Sequence, residues 1–227
     1  MSKFPLVLAA LLTGALAAHA DNLVSTQPSG SDSVDWSQLG SAGTTIGATF
    51  AFTSAQGVAG TGVYANPGDS MGVYSQPGEV GAILQQSSTW NGSFAPGAYL
   101  NWTENSGPLT LTLASGYTEI GAQIEADFWG AYTAQICDAN GCFTESGVNE
   151  GAGDNSAIYL GIDSSTPINS VTFSLTSAVS DPDDFAISGL TLDSGSSATP
   201  EPSSLILLGT GLVAFAGAMR RKLARQA

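Results

Sequence analysis

Leu109-Thr110-Leu111-Thr112-Leu113 and Ile120-Gly121-Ala122-Gln123-Ile124-Glu125-Ala126-Asp127 carry the decisive pattern of this chain. Apolar and polar residues alternate with a period of two, which places each set on one face of an extended backbone and fits no helical period. Val171-Thr172-Phe173-Ser174-Leu175-Thr176 repeats the pattern. Further strand candidates lie at 44–52, 98–103, 132–137, 157–162 and 185–192. In the last of these, Phe185 and Ile187 share one parity and Leu190 and Leu192 the other. Ser188-Gly189 is therefore expected to be a bulge that resets the register. About nine or ten strands with Gly, Pro and Asn turns predict an all-β domain over residues 21–193, a β-sandwich of the jelly-roll kind. No helix is expected in this body, and residues 21–40 read as partly irregular.

The charges are segregated. Lys3 and His19 lie in the first 20 residues, and Arg220, Arg221, Lys222 and Arg225 in the last eight. Between Asp21 and Thr199 there is no Lys, Arg or His, but 18 acidic residues. No side-chain ion pair can form within that body, so burial and backbone hydrogen bonds must offset the self-repulsion of its carboxylates. Nucleic acid is excluded as a partner, because no cation is available to a phosphate. Ser-His-Asp and Cys-His catalysis need an imidazole the body lacks, and a Lys base is equally absent.

The ends read as transport signals. Lys3, the apolar stretch 4–16 and the small-x-small triplet Ala18-His19-Ala20 predict a signal peptide over 1–20, cleaved before Asp21. At the other end, 194–199 is a Gly/Ser linker and Pro200-Glu201-Pro202 an extended segment. An uncharged run follows at 205–219 and is closed by Arg220-Arg221-Lys222. As a helix the run covers about 22 Å, shorter than the ~30 Å hydrocarbon core, with the cations expected on the cytoplasmic side. This order of elements over 200–227 resembles the PEP-CTERM protein-sorting signal of bacterial exported proteins, with Thr199 where that signal usually has Val. The resemblance implies recognition by an exosortase after passage through the secretion machinery. It implies cleavage near Pro200, Glu201 and Pro202, and a single-pass inner-membrane intermediate before release to the cell surface or beyond. It further implies a setting of exopolysaccharide and biofilm, and the same element occurs on some proteins labelled ice-binding.

Within the body, Cys137 and Cys142 bracket Asp138-Ala139-Asn140-Gly141. An Asn-Gly turn in an exported chain favours a disulfide across a hairpin, worth roughly 2 kcal/mol by loop closure. Calcium is the cofactor that oxygen ligands alone could hold. Asp181, Asp183 and Asp184 are the candidate ligands, and Glu150, Asp154 and Asn155 a second acidic loop. Glu125 and Asp127 share a strand face at about 7 Å spacing, which leaves open a two-carboxylate polysaccharide hydrolase. A solvated outer face is the blander reading of the same alternation, and no catalytic residue is assigned.

Gly62-Val63-Tyr64-Ala65-Asn66-Pro67-Gly68-Asp69 recurs as Gly72-Val73-Tyr74-Ser75-Gln76-Pro77-Gly78-Glu79. The repeat is either a duplicated hairpin or a pair of Tyr platforms for sugar rings, with Trp90 as a third aromatic beside Asn91. The expectation is a non-enzymatic cell-surface or matrix protein, structural or adhesive, that contacts exopolysaccharide. Ice binding would need a broad Thr-rich face, for which Thr110 and Thr112 alone are too short a row.

Overall fold

The computed structural model describes residues 21–67, 79–86, 90, 93–151 and 156–195. The expectations for Ala18 and Ala20, Tyr74 and its repeat copy, Asp154, Asn155 and everything from residue 196 onward lie outside these residues.

The chain is all-β. Its strands are β1 Asn22–Val24, β2 Asp32–Val34, β3 Thr44–Gly47, β4 Thr49–Thr53, β5 Ala59–Tyr64, β6 Glu79–Gln85 and β7 Tyr99–Trp102. They continue with β8 Leu109–Ala126, β9 Gly130–Cys137, β10 Cys142–Asn149, β11 Ile158–Ser177, β12 Phe185–Ile187 and β13 Leu190–Asp193. The only helical element among the described residues is a 3-10 turn, Trp36–Leu39, capped by the Asp35 carboxylate, which accepts from Ser37 N at 2.8 Å.

The pairing is antiparallel throughout, and two long strands organise it. The alternating segments at 109–113 and 120–127, separate in the sequence reading, join in the single strand β8, which ends at Ala126, one residue short of Asp127. Those at 157–162 and 171–176 likewise fuse into β11. β8 and β11 pair along both halves, with register shifts between Asp163 and Ser170. The first half of β8 and the second half of β11 join β5, β4, β9 and β10 in one wing. The second half of β8 and the first half of β11 join β1, β12, β13, β7, β6, β3 and β2 in the other.

Both wings feed one apolar core. Phe50, Phe52, Leu109, Leu111, Ile136 and Phe173 come from the first wing, and Ile83, Ile120, Ile124, Leu160, Ile187 and Leu192 from the second. Buried polar side chains tie them together. Tyr64 Oη donates to Asn101 Oδ1 at 2.5 Å, Tyr132 Oη to Ile124 O at 3.1 Å, and Trp36 Nε1 to Ser188 O at 2.8 Å. Each satisfies a donor that would cost free energy if buried alone. Two glycines make room for the rings. A Cβ on Gly60 would stand 2.4 Å from Phe52, and one on Gly62 2.1 Å from Phe50.

The expected bulge is present. Phe185, Ala186 and Ile187 face Ala126, Glu125 and Ile124, whereas Thr191 and Leu192 face Gly121 and Ile120, so one extra residue is inserted between them. That insertion lets Phe185 and Ile187, then Leu190 and Leu192, all enter the core. Ser188 N donates to Gln123 O, and Ser188 Oγ accepts from Gln123 N.

Candidate functional site

A second apolar layer lies on the face of the second wing turned away from the main core. Ala82, Leu84, Leu100 and Ala186 cluster there with Trp90, Phe94 and Ala157. Glu125 belongs to this layer and is fully buried. One carboxylate oxygen accepts from Ser93 N at 2.6 Å and the other from Ser156 Oγ. The solvated face that alternation predicted for Glu125 and Asp127 is therefore corrected at Glu125. Its strand position does point away from the core, but the chain around Ser93 crosses over it. The carboxylate acts as a buried anchor for that crossing. Asp127 is partly covered, and burial raises its carboxyl above the usual range. Replacing Glu125 by Ala strands the Ser93 N–H and leaves a void. The expected loss is about 3–5 kcal/mol in urea unfolding, whereas a surface acid would cost well under 1 kcal/mol.

The sugar-platform expectation fails at the two aromatics the structure describes. Tyr64 is 1% and Trp90 4% exposed, too little to present a ring face to a ligand. Tyr64 packs on Phe50, and Trp90 on Phe94 and Trp102 at 6.1 and 6.3 Å. A large ring on an alternating strand buries more apolar area inside than a loop could offer it.

The acids before β12 take separate tasks. Asp181 Oδ1 accepts from Asp183 N, Asp183 Oδ2 from Asn66 Nδ2 at 3.0 Å, and Asp184 Oδ1 from Trp102 Nε1 at 2.6 Å. They brace a turn and two neighbouring segments instead of converging. Among the described residues no group of three His, Cys, Asp or Glu is placed to hold a metal ion. The Cys137–Cys142 disulfide is formed, at a paired position of β9 and β10. Asp138 closes its turn by accepting from Asn140 N and Gly141 N.

The outward face of the first wing was not legible as a unit. Ala51, Thr61, Thr112 and Ser170 form one row across four strands. Thr49, Val63, Thr110, Thr172 and the disulfide form the next. Ser174, Gln135 and Thr144 continue the array, as do Thr133 and Ser146. Thr110 and Thr172 share a hydroxyl hydrogen bond at 2.9 Å, and Thr112 and Ser170 one at 3.0 Å. None of these positions is charged, on a chain of net charge −14. Thr110 and Thr112, a short row in the sequence, lie in the middle of a six-strand surface.

Sequence reasoning also passed over Phe128 and Trp129, which are 43% and 68% exposed in the turn between β8 and β9. The signal was available: two aromatics between strands that end at Asp127 and resume near Tyr132 must sit at a turn.

Among the described residues no helix is long and apolar enough to cross a membrane; the 205–219 run is outside them. No curated protein and no solved structure matches the chain. Residues 198–222 match the family model of the PEP-CTERM protein-sorting motif; the match is confined to the tail, bears out the resemblance read there, and supports an exported chain sorted by an exosortase.

Proposed function

We propose that this chain is a non-enzymatic protein of the cell surface or extracellular matrix that lies against neutral exopolysaccharide. The two wings then form the leaves of a β-sandwich of the jelly-roll kind, and one leaf turns its hydroxyl-covered face outward. The observation that carries the reading is that face: six strands carrying mainly Thr and Ser, with Ala51, Val63, Gln135 and the disulfide among them and no charge, on a body with 18 carboxylates elsewhere. Within a row, neighbouring strands are about 4.8 Å apart, and successive rows follow at about 6.7 Å along each strand. A lattice of hydroxyls and methyls at that pitch suits an uncharged polyhydroxylated partner. Any acidic polymer would be repelled by the rest of the molecule. The hydrolase alternative loses support because Glu125 is enclosed by its own chain.

Co-sedimentation with insoluble neutral polysaccharides tests the reading. Binding is expected to persist in ~1 M salt, where the Debye length is about 3 Å. It should fall at least tenfold in Thr61→Lys/Thr112→Lys. Binding that disappears in salt, or that ignores both lysines, sinks the idea. The same array is what ice binding would require. Thermal hysteresis that Thr112→Lys abolishes, with no polysaccharide binding, would assign the face to ice instead.

A further inference from the structure

The extra residue in the bulge has a second consequence, at the end of the second wing. Up to Ile187 the last strand pairs with β7: Ala186 faces Trp102 and Ile187 faces Asn101. Beyond Gly189 it pairs with β2 instead, Leu190 facing Val34 and Thr191 facing Ser33. One strand thus exchanges one neighbour for another within two residues, and the two neighbours diverge. The fork between them is a cleft of about 310 Å³. A Cβ on Gly189 would stand 2.3 Å from Val34 O, so that residue also fixes how closely β2 approaches.

The walls of the fork are chemically mixed. Tyr99, at the start of β7, forms one side and is partly exposed. Gln123 of β8 and Ser188 line it beside the bulge. Gln27 and Thr191 line it as a hydrogen-bonded pair, Gln27 Nε2 donating to Thr191 Oγ1 at 3.0 Å. Asp35 contributes a carboxylate of which one oxygen accepts from Ser37 N. The Gln27 pairing leaves its carbonyl oxygen as an acceptor, and no described residue engages the Gln123 side-chain amide.

We propose that this fork is a binding subsite for a short stretch of a neutral oligosaccharide. One aromatic ring with two carboxamides, hydroxyls and a single carboxylate can meet both the apolar face of a pyranose and its vicinal hydroxyls. Each hydroxyl both donates and accepts, as do the Gln amides. No cation is within reach anywhere in the body, so uronic or sulfated sugars find no counter-charge and meet Asp35 instead. The volume falls at the small end of ligand clefts, which fits a chain end or a short internal segment.

This rests on the polysaccharide reading above but uses a different surface, so the two can fail separately. The full-length chain, in a zwitterionic detergent free of sugar headgroups, is titrated calorimetrically with cello-, malto-, laminari- and mannotetraose, and with a tetragalacturonate. At least one neutral tetrasaccharide is expected to bind, and the galacturonate not. Gln123→Leu, similar in size, should weaken binding at least tenfold, and Tyr99→Ala likewise. Gln27→Ala serves as a third variant should Tyr99→Ala perturb the fold. All three should leave pelleting with insoluble polysaccharide unchanged. If no neutral tetrasaccharide binds, or if Gln123→Leu and Gln27→Ala bind as the parent does, the fork is not a sugar site. If tetrasaccharides bind and the Thr61→Lys/Thr112→Lys chain still pellets normally, the fork stands and the hydroxyl face does not.

Discussion

Deleting Ser188 alone is expected to abolish folding. Side chains on a strand alternate strictly, so removing one residue flips everything beyond it to the other face. Leu190 and Leu192, at 2% and 0% exposure, would turn outward, and Thr191, with the following Asp193, would turn toward the core. Each leucine withdrawn costs about 1.5–3 kcal/mol of transfer free energy, before the cavities left behind are counted. Two of them, with an acid pressed inward, are comparable to the ~5–15 kcal/mol that holds a typical domain together. Substitution at the same place is far milder. Ser188→Ala removes the hydroxyl that accepts from Gln123 N and should cost about 1 kcal/mol. Expression, near-ultraviolet circular dichroism and urea unfolding of the two variants make the comparison. A deletion as cooperative and stable as the alanine variant would show that the extra residue does not set the register.

Asp184→Asn is expected to stabilise the protein at pH 8 and to flatten its stability between about pH 4 and pH 7. Asp184 is 3% exposed at the entry to β12, and Trp102 Nε1 donates to it at 2.6 Å. Burial first, then the charge of Asp127, push its carboxyl up to about 7. In the unfolded chain an aspartate titrates near ~3.9. The folded protein therefore keeps a proton that the unfolded chain has lost across that window. The stability this group contributes is fully present below about pH 4 and falls as the pH rises through about 7. At pH 8 the parent must hold a buried charge; asparagine removes the charge while its oxygen still accepts from the indole. The gain should be on the order of 2 kcal/mol at pH 8 and near zero at pH 4. Equal pH slopes in parent and variant would mean that Asp184 titrates as a solvated acid.

The two experiments bear on function as well as on stability. The Ser188 insertion both completes the core and opens the fork, so one backbone irregularity serves the fold and the proposed subsite. Asp184, offered by its sequence context as a calcium ligand, acts in the structure as the partner of Trp102. Its raised carboxyl fits a group enclosed by protein.

The sequence by itself determined the all-β class, the Ser188-Gly189 bulge, the Cys137–Cys142 bridge and the sorting signal read over 200–227, which the family model matches at 198–222. Each of these is local. Period-two alternation, a parity change across two residues, two cysteines flanking an Asn-Gly turn and a linear signal are written in consecutive residues. Only the tertiary structure decided that Glu125 is enclosed, that Tyr64 and Trp90 are core, and that 109–113 and 120–127 join in one strand. Alternation tells which residues share a face, but whether that face meets solvent depends on chain from elsewhere. Ser93 lies 32 positions before Glu125 and closes over it. The hydroxyl array has the same origin. Thr61, Thr112 and Ser170 are far apart in the chain and adjacent in the sheet, because strand pairing converts short private rows into one continuous surface.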